Sequence, residues 1–298
     1  MRESELHKHI AERSSGLSLF HGYKPIVGPG DDCAVLENAS GETLLLTVDQ
    51  LVEGRHFEPG TPIDLIARKA VARSVSDIAA MGGVPAWSLG TGVLPDGYEH
   101  GNELFDAVHK WANHWGCPLV GGDIAAHGSA DHPLTLGVTV GGVMEEGHTP
   151  VLRSGAKPGD LVYVTGSVGG SFDSGWHLLF EPRTVVGSDA SRPGSGVHAM
   201  MDLSDGLGRD ADRVAKASGV CIELDAARLP INHRCADWRE ACAEGEDYEL
   251  LLCVDPDADR PSGVQGPIGV CVASDSPGAV VIDAYGERHG AGDLGWDH

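Results

Sequence analysis

"TPIDLIARKAVARSVSDIAAMGG", residues 61–83, indicates the architecture of this chain more clearly than any other stretch. Its apolar residues recur at helical spacing, and the closing pair Gly82 and Gly83 is typical of a helix end. Thr61 and Pro62 predict where the helix begins, with Thr61 as its N-cap. Because a strand-like run, Thr43 to Val48, precedes this segment, we expect a helix that packs on a sheet.

Strand-like and helical patterns alternate along the rest of the chain. The turn-rich segment "RSGAKPGD", residues 153–160, separates two halves of similar composition. The length of 298 residues also exceeds the usual size of one hydrophobic core. We therefore predict an α/β (α+β) protein of two domains, residues 1–148 and 149–298, each with a sheet packed by helices.

Composition excludes several functional classes. The formal net charge of −23 disfavours nucleic acid as a partner, because binding to phosphate backbones requires a basic face. No segment has the ~20 apolar residues of a membrane span, and the first twenty lack a signal-peptide core, so we expect a cytoplasmic protein without a membrane partner. The seven cysteines form no CxxC pair and the fifteen histidines no HExxH motif. We expect buried, reduced thiols and no zinc site.

Aspartates recur near the predicted ends of strands and helices. The segment "GPGDDCAVL", residues 28–36, places Asp31 beside Asp32, where mutual repulsion requires a compensating positive charge. The full set of such positions is Asp32, Asp49, Asp77, Asp123, Asp202 and Asp205. Because strand ends commonly form ligand clefts in α/β sheets, these carboxylates are predicted to converge on several Mg²⁺ ions that bridge to a polyphosphate.

The usual phosphate-binding loops are missing. The chain contains no GxxxxGK[ST] motif, and no convincing GxGxxG lies between a strand and a helix. A nucleotide would therefore be held mainly through its metal ions, with Arg153 and backbone amides assisting.

Eight motifs occur in the order and spacing of one known family. They are "GDDCAVL", "TVDQLVEGRHF", "ARKAVARSVSDIAAMGGVP", "VGGD", "RSGAKPGDLVYVTG", "MDLSDGL", "EGEDYELLLCV" and "GWDH". Together they span nearly the whole chain and resemble the thiamine-monophosphate kinase family. That family belongs to the superfamily of aminoimidazole ribonucleotide synthetase and selenophosphate synthetase.

The resemblance implies a fold, a reaction and a set of site residues. It implies ATP-dependent phosphorylation of thiamine monophosphate to thiamine diphosphate, in a homodimer whose N-terminal sheets pair into a barrel. The active site would lie in a cleft between the domains. By motif, the Mg²⁺ ligands would be Asp32, Thr47, Asp49, Asp77, Asp123, Asp202 and Asp205. ATP would contact Gly122, Asp123, Arg153 and Ser204, with Arg153 neutralising transition-state charge, and His56, Asp247 and Trp296 would border the thiamine phosphate.

Some positions depart from the family pattern and leave alternatives open. Val48 stands where the family usually has a hydroxyl residue, and Ile124 and Ala125 replace two further hydroxyls beside Asp123. These changes allow a noncatalytic protein that binds a nucleotide or thiamine phosphate, and another ATP-using enzyme of the same superfamily is a second alternative. His56 could equally be a structural histidine, and Trp296 a simple hydrophobic anchor.

Overall fold

The computed structural model describes residues 3–14 and 22–296, which form two mixed β-sheets with helices packed against them. The first half contains α1 (Glu3–Ser14), β1 (Lys24–Val27), β2 (Ala34–Glu37), β3 (Thr43–Val52), α2 (Ile63–Ala80), β4 (Val84–Leu94), α3 (Gly101–His114), β5 (Leu119–Ala126) and β6 (Thr135–Val143).

The second half continues with shorter helices and a larger sheet. Its elements are β7 (Leu161–Val164), α4 (Ser171–Ser174), α5 (Trp176–Leu179), α6 (Thr184–Ser191), β8 (Val197–Asp202), α7 (Leu207–Ser218), β9 (Val220–Asp225), α8 (Trp238–Ala243), β10 (Leu250–Val254), β11 (Gln265–Ala273), β12 (Gly278–Ile282) and β13 (Arg288–Gly290). A short 3₁₀ turn, Ala226–Arg228, follows β9.

The first sheet has the strand order β1-β2-β3-β6-β4-β5. Only β4 and β5 pair in parallel; the other neighbours are antiparallel. One face of this sheet packs on α2 and α3, where Leu45, Val75, Leu104 and Val138 are buried in a shared core. The alternation of buried and exposed residues along β3 therefore separates a helix-facing side from an outer side.

The second sheet has the order β13-β12-β9-β11-β7-β10-β8, with β9 and β12 its parallel pair. Helix α7 packs against β8, β9 and β12 over a separate apolar core. Helix α2 links the two halves, because it contacts β3, β4 and β6 on one side and α5, α6 and β8 on the other. The predicted α/β class with helices on two sheets is thus confirmed.

Several local predictions were wrong. Helix α2 begins at Ile63 with Pro62 at the N-cap, and the Thr61 hydroxyl donates to the Glu58 carbonyl instead of capping the helix. Strand β3 continues to Val52 because it pairs with β6 along its whole length. Asp49 and Asp123 consequently lie inside β3 and β5, not at their ends. Long-range pairing, which local patterns do not record, extended both strands.

The remaining composition-based expectations concern thiols and membranes. All seven cysteines are free thiols, and six of them are buried. Across residues 3–14 and 22–296, no helix combines the length and the hydropathy needed to cross a membrane.

Candidate active site

Three carboxylates from distant parts of the chain meet where the two sheets approach each other. Asp32 lies in the loop before β2, Asp77 in the last turn of α2, and Asp202 at the end of β8. One carboxylate oxygen from each of the three lies within 4.8 Å of the other two. The structure thus brings together three of the seven predicted metal ligands, which we call the acidic cluster.

Arg153 supplies part of the missing counter-charge. Its Nη2 and Nε donate to Oδ1 of Asp32 at 2.6 and 3.2 Å, and its backbone amide donates to the Asp31 carboxylate at 3.2 Å. The second oxygen of Asp32 is buried and has no hydrogen-bond partner among the described residues. An unpartnered carboxylate oxygen beside two further acids is the environment that a divalent cation satisfies.

Burial and mutual repulsion perturb the ionisation of these acids. Burial, followed by the charges of Asp49 and Asp202, raises the pKa of Asp77 well above its ordinary value. Burial, followed by the charge of Asp32, does the same to the pKa of Asp202. Burial and Asp32 raise the pKa of Asp31 to about 6. Such acids either hold protons or gain a cation that replaces those protons.

Hydroxyl groups fix the orientation of the cluster. The Thr47 hydroxyl donates to Asp77 Oδ2, and the Ser76 hydroxyl donates to Asp202 Oδ2 at 2.6 Å. Thr47 therefore lies next to the acidic cluster, where the predicted ligand set places it.

Asp49 and Asp205 lie outside the 4.8 Å group. Asp49 accepts from the Ser74 hydroxyl at 3.3 Å and faces Arg73 Nη2 at 3.5 Å. Burial raises its pKa, although Arg73 opposes the shift. Asp205 pairs with Arg213 Nη1 at 2.5 Å. Both acids are thus partly neutralised by arginines that sequence reasoning did not assign to the site.

Asp123 lies on the opposite side of the first sheet from Asp49, whereas Gly122, one residue earlier in β5, pairs through Gly90 and Val138 with the helix-facing side. Asp123 pairs with Thr91, Thr91 with Gly137, and Gly137 with Gln50, and paired residues share a face. Because Asp49 alternates with Gln50, it faces the helices while Asp123 faces outward. The exposed Asp123 is therefore separated from Asp49 by the thickness of the sheet within one chain.

A small pocket lies between the two halves. Its walls are Arg55, His56, Phe172, Ser204, Glu246 and Trp296. The Arg55 guanidinium lies 5.5 Å from the ring centre of Trp296, which is 47 % exposed. His56 is buried, and its Nδ1 accepts from the Val52 amide at 2.9 Å. His56, Ser204 and Trp296 thus line one pocket. A larger cavity of about 440 Å³ is lined by residues 149–152, 154 and 190–198, and by none of the predicted acids.

Lys69 of α2 lies behind this pocket and contacts two of its wall residues, Glu246 and His56. The ammonium group forms an ion pair with Glu246 and donates to the His56 carbonyl at 2.6 Å, and it lies 2.9 Å from Nδ1 of His177. Its side chain is fully buried, and this burial lowers the lysine pKa to about 8. Burial alone would raise the pKa of Glu246, but Lys69 and Arg73 together lower it.

Asp247 lies behind the pocket instead of in its wall. It is 1 % exposed and accepts from the Gly169 amide at 2.9 and 3.1 Å. Glu246 has a φ of 68° and Tyr248 a φ of 51°, so the chain turns here through the left-handed region. As a result, Glu246 lines the pocket, whereas Asp247, which was predicted to border the thiamine phosphate, does not.

Sequence reasoning missed the cations of α2. Lys69, Arg73 and Asp77 follow one another at intervals of four residues, so they share one face of an otherwise apolar helix. This spacing of three charged residues was a detectable signal that Lys69 and Arg73 belong to the site. Without the fold, however, they read equally well as a solvated edge of the helix.

Comparisons with known proteins place this site in a family. Residues 30–144 match the family described as "AIR synthase related protein, N-terminal domain". The chain is 35 % identical over 250 residues to the thiamine-monophosphate kinase of Rhodopirellula baltica, covering 78 % of this chain and 77 % of that protein. It is 36 % identical over 263 residues to the enzyme of the same name from Escherichia coli K12, with 78 % of each chain covered.

A solved structure agrees with the sequence relatives. "AaThiL complexed with AMPPCP and TMP" superposes with a TM-score of 0.78 and 28 % identity, covering all of this chain and 97 % of that one. The protein described here therefore belongs to a class of ATP-using enzymes related to AIR synthase. Within that class, the chain belongs to the thiamine-monophosphate kinase family.

Proposed function

We propose that the protein transfers the γ-phosphoryl group of ATP to thiamine monophosphate, forming thiamine diphosphate and ADP. The observation that carries this conclusion is the acidic cluster of Asp32, Asp77 and Asp202, which lies close to a pocket lined by Glu246 and Trp296 in a chain of this family. The related structure solved with AMPPCP and TMP supports the same pair of substrates. Because ATP is a cytoplasmic metabolite, we place the reaction in the cytoplasm.

The residues fit Mg²⁺ as the resident ion. The site offers only oxygen ligands, one Asp32 oxygen has no protein partner, and burial raises the pKa values of Asp77 and Asp202. Asp32, Asp77 and Asp202 would hold the central ions, while Thr47, Asp49 and Asp205 would complete the set around them. When bound, Mg²⁺ would neutralise the phosphate oxygens and hold the donor phosphate in place.

The chemistry of the acceptor explains why the reaction needs no side-chain base. The acceptor phosphate loses its second proton near pH ~6, so its oxygen is already a nucleophile at neutral pH. This oxygen forms the new bond to the γ-phosphorus as the bond to the ADP oxygen breaks, and Arg153 offsets charge beside Asp32. In the pocket, Trp296 would stack on the cationic thiazolium ring, and Glu246 would add a favourable charge.

We also propose that the protein acts as a homodimer joined through the outer face of the first sheet. Apolar side chains on this face are unusually exposed: Val48 by 63 %, Val143 by 38 % and Leu89 by 37 %. Pairing of two such faces into a barrel would cover them, and it would turn Asp123 towards the partner. Gly122 sits so close to β4 that a Cβ atom would lie 1.8 Å from the Gly90 carbonyl oxygen. In the dimer, we assign the Asp123 carboxylate, together with the adjoining Gly122 backbone, to the partner's nucleotide site.

A turnover assay tests the reaction. Purified protein is incubated with ATP, Mg²⁺ and thiamine monophosphate, and the nucleotides and thiamine esters are separated by chromatography. We expect ADP and thiamine diphosphate in equal amounts, and we expect Asp202→Asn to abolish both while Asp131→Asn, at an exposed loop position, leaves them unchanged. Binding of both substrates without product would instead indicate a noncatalytic regulator, and ADP without thiamine diphosphate would indicate a different acceptor.

Val48→Glu tests the dimer. A charge on the exposed outer face should convert the dimer to monomers in analytical ultracentrifugation, whereas Val185→Glu, at an 81 % exposed position of α6, should not. A wild-type protein that sediments as a monomer at micromolar concentration would refute the proposed assembly.

A further inference from the structure

Arg73 lies between the acidic cluster and the pocket. On α2, one turn separates it from Lys69, which reaches the pocket through Glu246, and one turn from Asp77, which belongs to the cluster. The charges of Asp49, Glu246 and Asp77 all act on the Arg73 guanidinium. A permanent positive charge is therefore buried at the junction of the two half-sites.

The hydrogen-bonding capacity of Arg73 is largely unused. Nη1 donates to the Gln50 carbonyl at 2.6 Å, but Nη2 lies 3.5 Å from Asp49, too far for a strong hydrogen bond. Nε is buried and has no hydrogen-bond partner among the described residues. Because a guanidinium carries five N–H donors, several donors remain for another acceptor. The side chain is still 11 % exposed, so it is not sealed from the site.

The neighbouring buried cations are already engaged. Arg153 donates through both Nε and Nη2 to Asp32. Lys69 contacts Glu246, the His56 carbonyl and His177, which matches the three directions of an ammonium group. Of these three cations, Arg73 is the one with a buried N–H group that has no hydrogen-bond partner among the described residues.

We propose that Arg73 binds the phosphate of thiamine monophosphate and thereby selects the phosphorylated acceptor over thiamine. This inference rests on the proposed function. If the thiamine rings occupy the pocket beside Trp296 and ATP lies at the acidic cluster, the acceptor phosphate must lie between the two. The planar fork of a guanidinium matches two phosphate oxygens. The surrounding carboxylates keep Arg73 in place and repel any acceptor phosphate that is not paired with it or with metal.

The test compares binding of thiamine monophosphate and thiamine without turnover. Wild-type protein, Arg73→Gln and Arg73→Lys are titrated with each compound by calorimetry in the presence of Mg²⁺, and with Mg²⁺ and AMPPCP in a separate titration. Arg68→Gln is the matched control, because Arg68 lies on the same helix, is also largely buried (4 % exposed against 11 % for Arg73), and instead pairs with Glu181. Circular dichroism establishes that each variant is folded.

We expect Arg73→Gln to bind thiamine monophosphate about 10- to 100-fold more weakly, the range for losing a charge-assisted hydrogen bond. Thiamine and AMPPCP should bind within about threefold of wild type, and Arg68→Gln should preserve the preference for the monophosphate. An unchanged preference in Arg73→Gln would overturn the proposal and leave Arg73 as a counter-charge for Asp49.

Arg73→Lys decides the matter if Arg73→Gln does not fold, because lysine keeps the charge without the fork. Its preference for the monophosphate should fall at least about fivefold, and no fall would refute the proposal. Failure of the wild-type protein to bind thiamine monophosphate or to form thiamine diphosphate would refute the proposed function itself. That result appears in the wild-type titration and assay, and so cannot be confused with the effect of Arg73.

Discussion

Removing one carboxylate from the acidic cluster should stabilise the metal-free protein while destroying its activity. The cluster oxygens of Asp32, Asp77 and Asp202 lie within 4.8 Å of one another. Asp77→Asn is the suitable change, because asparagine keeps an oxygen that can accept from the Thr47 hydroxyl. The variant therefore removes charge with little change of shape.

The size of the effect follows from the separation of the charges. Two unit charges 4.8 Å apart repel by about 3.5 kcal/mol at an effective dielectric constant near 20. Burial and neighbouring acids raise the pKa of Asp77, so protonation relieves part of this repulsion at neutral pH. We expect Asp77→Asn to raise the free energy of unfolding by about 1–3 kcal/mol at pH 8 without metal.

The pH dependence fixes the sign of the effect. Because the folded-state pKa of Asp77 is raised, the native state binds more protons than the unfolded state, and stability falls as the pH rises through that pKa. Asp77→Asn should therefore gain more over wild type at pH 8 than at pH 5. Unfolding by urea in EDTA, followed by circular dichroism at both pH values, measures this difference.

Magnesium should cancel or reverse the stability advantage of Asp77→Asn. Bound Mg²⁺ stabilises the wild type by about 2.7 kcal/mol at a hundredfold excess over its dissociation constant, and Asp77→Asn should lose most of that gain. Asp131→Asn changes the net charge equally at an exposed position and should have no effect on either quantity. A metal-free Asp77→Asn protein less stable than wild type by more than about 1 kcal/mol would contradict the electrostatic reasoning.

Three further substitutions test the pocket and Asp31, the acid that accepts from the Arg153 amide. Glu246→Gln leaves the fully buried Lys69 without its carboxylate, so the free energy of unfolding should fall by about 3–5 kcal/mol in urea titrations. Trp296→Ala removes the proposed ring partner of the thiazolium, so the KM for thiamine monophosphate should rise roughly 5- to 30-fold in steady-state assays while the KM for ATP is unchanged. The pKa of Asp31 is raised to about 6, so the free energy of unfolding of the wild type in EDTA should fall as the pH rises from about 4 to 6. Asp31→Asn should remove part of that fall in urea titrations.

For each of these three substitutions, a specific result would contradict the prediction. Glu246→Gln with unchanged stability would show that Lys69 gives up its proton readily when Glu246 is neutral. Equal effects of Trp296→Ala on both substrates would place the indole outside the thiamine pocket. If stability falls more steeply with rising pH in Asp31→Asn than in wild type, Asp31 is ionised throughout this range.

The sequence predicted the larger elements well where a residue's own neighbours determine its structure. The apolar periodicity of residues 63–80 and the glycines after them gave helix α2, and the position of Asp77 in its last turn followed directly. The motif "MDLSDGL" likewise placed Asp202 at the end of a strand. The resemblance then identified the family, which the comparisons confirm.

The sequence did not predict which face of a sheet each acid occupies or how far a strand extends. Asp49 and Asp123 both occur in acidic motifs, yet the pairing register places them on opposite sides of the first sheet. Because successive residues alternate between faces, a shift of one residue in register would exchange those sides. Only the long-range pairing of β3, β6, β4 and β5 fixes that choice.

By itself, the sequence determined the layered fold class and the family, and it singled out the three acids that the structure brings together in the acidic cluster. The tertiary structure decided which acids meet, that Glu246 instead of Asp247 faces the pocket, and that Lys69 and Arg73 lie between the acids and the pocket. The physical reason is that helical periodicity and motif spacing are short-range properties of the chain. Burial and electrostatic compensation arise only when residues as far apart as Asp32 and Asp202 pack together.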